Sequence, residues 1–175
     1  MQHNPPDEAD APVVDAVQML VAQHRLLEAA LKAVLSTDDG QLRRQRLAPA
    51  ADELMVHLSS EEAVFYPAVR ARGTEDVLLE SLEEHLSLKR LLADLLAMGA
   101  GEKTFEAKCK VLLEQVEHHH EEEEQRLFPK VRKLLSSAER KELAAAMQQH
   151  QLQLLARRRP RDAVKSQTDE AEPLV

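Results

Sequence analysis

Glu117-His118-His119-His120-Glu121-Glu122-Glu123-Glu124-Gln125-Arg126-Leu127-Phe128-Pro129 is the stretch on which the reading of this chain turns. It carries three histidines, a run of acids, and an aromatic followed by proline. The same skeleton occurs 62 residues earlier, in His57-Leu58-Ser59-Ser60-Glu61-Glu62-Ala63-Val64-Phe65-Tyr66-Pro67. His57 corresponds to His119, Glu61 to Glu123, Glu62 to Glu124 and Pro67 to Pro129. The repeat extends outward: His24 precedes His57 by 33 residues and His85 precedes His119 by 34. The chain therefore reads as two helix pairs, each with a histidine on its first helix and His-x-x-x-Glu on its second.

Composition sets the frame. With 175 residues, 43% of them hydrophobic, the chain is long enough for one domain with a substantial core. Glycine is scarce, and long Ala/Leu/Glu/Lys/Arg/Gln runs favour helix. With three Phe, one Tyr and no Trp, the core must be built from Leu, Val and Ala. A formal net charge of −8 argues against a nucleic-acid partner. The absence of a long apolar run argues against a membrane span, and the first residues have no signal-peptide core. The single cysteine, Cys109, excludes an internal disulfide framework and fits a cytoplasmic location. Its place on an apolar stripe makes it a core thiol.

Periodicity predicts an all-α chain. Residues 1–11 read as a flexible arm with Pro5 and Pro6, and Asp10 or Pro12 as the start of the first helix. Val13, Val17, Leu20, Val21, Leu27, Leu31 and Val34 then step by threes and fours as far as Leu35, with His24 inside the stripe. A second helix covers about 41–71, with Ala50, Leu54, His57, Glu61, Val64 and Ala68 as its inward row. Pro49 and Pro67 should kink or open it, and a break near Pro49 is the alternative. The third runs from about 75 to 98 on Leu78, Leu82, His85, Leu88, Leu92 and Leu95. The fourth runs from near Thr104 to about Leu135 on Phe105, Cys109, Leu112, Val116, His119, Glu123 and Val131. Ser136-Ser137-Ala138-Glu139 is a capping box that opens a shorter fifth helix to about Ala156. Residues 157–175 read as a disordered tail. Short connections make consecutive helices antiparallel, so the expected fold is an up-down-up-down four-helix bundle with a short fifth helix, over residues 12–156.

Residues four apart share a helix face, so His57 with Glu61 and His119 with Glu123 point into the bundle, where His24 and His85 also lie. Four imidazoles and two carboxylates then converge at mid-bundle. Buried without partners they cost about 1–3 kcal/mol per group, and two cations remove that cost. A nitrogen-and-oxygen set without thiolate favours a di-iron or related centre over structural zinc. His118, Glu121 and Glu122 point to solvent, and the direction of His120 is left open by the helical phase. Either of His24 and His85 alone reads as a core histidine; the joint, duplicated pattern is what points to metal.

With these motifs the chain resembles the hemerythrin-like, or HHE cation-binding, proteins over about residues 13–156. The matching elements are His24, His57-x-x-x-Glu61-Glu62 with Phe65-Tyr66-Pro67, His85, and His119-x-x-x-Glu123-Glu124 with Leu127-Phe128-Pro129. The resemblance implies an oxo- or hydroxo-bridged pair of iron ions in a four-helix bundle, with manganese and zinc as alternative metals. His24, His57, His85 and His119 are then terminal ligands, and Glu61 and Glu123 bridge. Oxygen-carrying members have a further ligand histidine four residues after the third-helix histidine. Lys89 stands there in this chain, which implies a nearly symmetric, more open centre with two histidines per metal. Lys89 itself is expected to curl outward, a hydrogen bond to a bound ligand being the alternative, and Tyr66 and Glu62 border the ligands.

The leading function is thus a non-haem di-iron protein that binds or senses a small diatomic or peroxide ligand: oxygen, nitric oxide or peroxide. The alternatives are a di-iron enzyme that decomposes peroxide or oxidises a small species, and an iron storage or repair protein. A ferritin-like site needs Glu-x-x-His twice, and Glu117-x-x-His120 supplies it once. Repair proteins typically carry an additional cysteine-bearing N-terminal module, where this chain has a polar arm. No attached signalling domain fits in 175 residues, which favours a stand-alone reactive or stress-response role.

Overall fold

A computed structural model describes residues 14–70, 73–157 and 159–169. Pro5, Pro6, Pro12, Val13 and residues 170–175, on which the expected arm and the end of the tail fall, lie outside the described residues.

Asp15 starts the first helix, α1 (Ala16–Leu35). Its carboxylate accepts from the Gln18 amide at 3.0 Å, while the Gln18 side chain accepts from the Asp15 amide at 3.0 Å. This reciprocal cap satisfies two of the orphan donors of the first turn and sets the start later than Asp10 or Pro12. Asp39 caps α2 (Gly40–Ser60), which runs through Pro49 without a break. A π-helical turn (Glu61–Phe65) then leads into α3 (Tyr66–Arg70). After α4 (Glu75–Ala97), the second pair repeats the plan: α5 (Phe105–Glu122), a π-helical turn (Glu123–Leu127) and α6 (Phe128–Leu134). Ser136 and Glu139 form the expected capping box of α7 (Ser137–Ala156).

The two π turns answer the two prolines. Pro67 and Pro129 have no N–H to donate to the carbonyl four residues back. The helix accommodates this by taking in an extra residue, so Tyr66 and Phe128 donate to the carbonyls of Glu61 and Glu123. The insertion rotates the following face. Phe65, Tyr66 and Val69 are buried, whereas Val64 is half-buried and Ala68 exposed, so those two leave the inward row assigned to them. In α4, Leu82 is likewise exposed and Ser81 takes the inward place.

The helices form an up-down-up-down four-helix bundle in which α1 packs on α2 and α5, and α4 on α5 and α2. α7 lies along the outside of the α1–α2 seam and touches the first π turn. Its start is tied to α1 by Arg140, whose Nε donates to Asp15 at 2.9 Å. Two apolar clusters fill the interior. One holds Leu27, Leu31, Leu54, Leu58, Leu92 and Leu112; the other holds Val17, Leu20, Phe65, Phe128, Val131 and Met147. Along α1, α2, α4 and α5, with their π turns, the predicted ligands fall between the two clusters, so the bundle is apolar at both ends and polar in the middle.

The expected disordered tail is corrected in part. Pro160–Ala163 forms a 3₁₀ turn and Val164–Asp169 a short helix, α8, packed on α4. Val164 is buried in the first apolar cluster. Arg161 bonds the Asp52 carboxylate and the Ala48 carbonyl. With the Arg161 amide also donating to Asp52 at 2.9 Å, these contacts hold a segment whose composition alone looks solvated.

Candidate metal centre

His24, His57, Glu61, His85, His119 and Glu123 are all buried, and their side chains meet between the two apolar clusters. The Nε2 atoms of His57 and His85 lie 3.4 and 3.3 Å from Glu61 Oε2. Those of His24 and His119 lie 3.3 and 3.9 Å from Glu123 Oε2. A seventh group joins them. His120 is 1% exposed and stacks on His24 with ring centres 3.8 Å apart and planes 5° from parallel.

Ligand-type atoms gather in two places. His24, His57 and His120 offer three nitrogens within 4.8 Å of one another, and His24 and His57 also group with Glu61 and Glu123. Glu61, His85 and His119 form the second group, where the Nε2 atoms of His85 and His119 lie 2.9 Å apart. Tyr66 reaches this half: its hydroxyl donates to Glu123 Oε1 at 2.8 Å and lies 3.0 Å from His85 Nε2. The arrangement is not the symmetric one expected from Lys89. One half has three imidazoles, and the other has two with a phenol.

The repeat explains the asymmetry. His120 corresponds to Leu58, and Tyr66 to Phe128, so each half supplies one polar group that its counterpart lacks. A fifth buried histidine is nonetheless present, on α5 rather than at position 89. Lys89 corresponds to Glu28, whose carboxylate accepts from His120 Nδ1 at 3.0 Å. Lys89 is itself buried rather than curled outward, with Nζ 2.8 Å from both oxygens of Glu62. Its ammonium group pairs with the carboxylate that also meets His85 Nδ1, so both the outward course and the alternative contact with a bound ligand give way to an ion pair behind His85. His118, by contrast, is exposed, and with Glu84 and Glu122 makes an outward-facing group.

All five imidazoles turn the same way. Each Nδ1 has an oxygen acceptor: Glu124 for His24 at 2.9 Å, Gln23 for His57 at 3.1 Å, Glu62 for His85 at 2.9 Å, Glu84 for His119 at 2.7 Å, and Glu28 for His120. With the proton held at Nδ1, the Nε2 lone pairs face inward, which is how metal-ligating histidines are oriented. Among the described residues, the buried side-chain atoms without a hydrogen-bond partner are the Nε2 atoms of His24, His57 and His120, both Glu61 oxygens and Glu123 Oε2. All belong to this cluster. Six such atoms in a folded interior are a heavy cost, and a cation between them supplies the missing partner. The residues fit a metal pair.

Electrostatics agree. Burial pushes His57 and His120 well below the ordinary imidazole range, with the neighbouring His24 adding to it. Burial also draws His85 down to about 4 against the pull of Glu62. His119 is raised despite burial, because Glu123 and Glu84 face it. Burial and Glu123 push Glu61 up, while Glu123, though buried, is held down by His119 and His24. Burial, with Glu123 and Glu61, raises Tyr66, which keeps its proton. Neutral imidazoles, as favoured at His57, His85 and His120, are the form in which histidine binds cations.

Comparison with known proteins agrees with this geometry. The hemerythrin HHE cation binding domain matches residues 15–131, more than half of the chain. The chain belongs to the hemerythrin HHE cation binding domain family. A crystal structure of a hemerythrin HHE cation binding domain-containing protein from Mycobacterium kansasii superposes with a TM-score of 0.72, covering 86% of this chain and 97% of that one. At 23% identity, this likeness establishes the shared fold. A DNA nickase from Nostoc sp. is 25% identical over 138 residues, 79% of this chain and 38% of the relative. The hemerythrin-like chain thus spans about two fifths of that relative's length. Among the described residues, no helix is long and apolar enough to cross a membrane.

Proposed function

We propose that this chain is a non-haem di-iron protein that binds or senses small oxidants: oxygen, nitric oxide or peroxide. The observation that carries the reading is the set of six buried, partnerless nitrogen and oxygen atoms turned into one polar layer. In this reading His24, His57 and His120 would hold one iron, His85 and His119 with Tyr66 nearby would hold the other, and Glu61 and Glu123 would supply the carboxylates shared between them. When bound, the iron pair supplies a redox-active Lewis acid for a small ligand.

The chain's own residues do the rest. Glu124, Gln23, Glu62, Glu84 and Glu28 keep the Nδ1 protons and fix the ring orientations. The two apolar clusters close the layer to water from both ends. Tyr66 holds a proton at Oη, directed at Glu123 and next to His85, at the half with fewer nitrogens. That hydroxyl supports a second reading, a di-iron enzyme that decomposes peroxide, because a donor placed there can protonate an oxygen leaving group. Neither reading includes a nucleic-acid partner, since a net charge of −8 repels a polyanion.

The test is to load the protein with ferrous iron under anaerobic conditions and mix it with oxygen, nitric oxide and peroxide in separate stopped-flow runs. Saturable optical changes with at least one of the three are expected. Repeated peroxide turnover selects the enzymatic reading over binding. An iron-loaded protein whose spectrum responds to none of them defeats both.

A further inference from the structure

The five imidazoles are not backed equally. His24, His85, His119 and His120 donate Nδ1–H to carboxylates, and only His57 donates to a neutral amide, that of Gln23. The repeat provides the internal comparison. Gln23 stands one residue before His24, and its counterpart, one residue before His85, is Glu84. Glu84 backs His119 at 2.7 Å, whereas Gln23 backs His57 at 3.1 Å. A carboxylate draws the Nδ1 proton toward itself and makes Nε2 a stronger donor to a metal, and an amide oxygen does this less.

The amide is also held in place from outside the bundle. Gln151 on α7 accepts from Gln23 Nε2 at 3.1 Å and donates to Ser60 Oγ at 2.9 Å. Ser60 Oγ in turn donates to the His57 carbonyl at 2.9 Å. His57, Gln23, Gln151 and Ser60 therefore close a ring of neutral hydrogen bonds around this one ligand. α7, which contributes no atom to the polar layer, is a member of that ring.

We propose that Gln23 is a positioning residue that makes His57 the weakest nitrogen donor of the five, and that α7 holds the Gln23 amide in place through Gln151. His57 is then the ligand that the centre releases first, and the seam between α7 and the bundle is the place from which its hold on metal is set. The inference rests on the metal reading above. It adds that the two halves differ in donor strength as well as in donor number.

Cobalt(II) titration of the full chain in competition with a chelator tests it. Gln23→Glu, which copies the Glu84 arrangement, is expected to tighten binding about ten-fold, and Gln23→Ala to weaken it about ten-fold. Gln151→Ala is expected to weaken it several-fold with Gln23 intact. A purely structural role for Gln23 makes both of its substitutions weaken binding, and that result overturns the inference. The iron-loaded Gln23→Glu protein should also show a more negative reduction potential than the wild type; an unchanged potential counts against it. If Gln23→Glu does not fold, Glu84→Gln asks the same question from the other half: weaker binding supports the proposal, and unchanged binding overturns it. A wild-type chain that takes up no cobalt and no iron defeats the metal reading itself.

Discussion

Replacing His120 with leucine, the residue at the equivalent position 58, separates the metal account from a packing account because its two effects have opposite signs. In the metal-free protein, His120 Nε2 is buried without a partner. Removing such a group recovers about 1–3 kcal/mol, since leucine fills similar volume beside the imidazole of His24. Glu28 keeps Arg25 at 3.2 Å after losing His120, so it is not left without a partner. For a domain of this size, about 2–4 °C of melting temperature corresponds to each kcal/mol. The metal-free variant should therefore melt about 2–12 °C higher. Metal affinity should move the other way. Loss of groups that only back a ligand costs about 10–100-fold, so loss of the ligand itself should reach at least the upper end, about 2.7 kcal/mol. Circular dichroism melts of the metal-free chains and chelator-competition titrations of the loaded ones read the two effects separately. A variant that melts lower without metal, or that binds iron as tightly as the wild type, refutes the assignment of His120.

Other expectations follow from the same geometry. Glu61→Ala or Glu123→Ala removes a bridging carboxylate and should leave fewer than about two irons per chain by elemental analysis; full iron content in both variants contradicts the bridging roles. Lys89→Met strips Glu62 of its buried ion pair and should destabilise the chain by about 1–3 kcal/mol in urea unfolding while iron content persists. A loss of iron without loss of stability would return Lys89 to the cluster. In the metal-free protein, His57, His85 and His120 are held below the imidazole value of the unfolded chain. Unfolding lets them take up protons as pH falls below about 6.5, so their contribution to stability declines, for His85 down to about pH 4. His119 and Glu61 are raised and act in the opposite sense. Three groups against two predict a lower urea midpoint at pH 5 than at pH 7, and an unchanged or higher midpoint contradicts that balance.

Much of this was legible in the sequence because helical phase and an internal repeat act together. The repeat located His24, His57, Glu61, His85, His119 and Glu123, and the structure brings these six into one layer. What phase misses is where the helix stops being α. The π turns after Glu61 and Glu123 shift the register by one residue, and so Val64 and Ala68 gave way to Phe65, Tyr66 and Val69 at the buried face. Pro67 announced a distortion, but its form depends on which carbonyl accepts next. His120 had a signal that went unused: its counterpart Leu58 is the kind of residue that belongs inside, so position 120 is inward as well. Lys89 departs from the outward course expected of a long cation because Glu62, which holds it, comes from another helix and is invisible along α4. The α8 segment is held by buried Val164, by Arg161 bonded to Asp52 and Ala48, and by packing on α4, none of which composition can show.

Mössbauer spectroscopy of the protein loaded with iron-57 tests the central claim most directly. A centre with three imidazoles on one side, and two with a phenol on the other, predicts two distinct quadrupole doublets of equal area from about two irons per chain. No bound iron, or a single doublet from two equivalent sites, would contradict it.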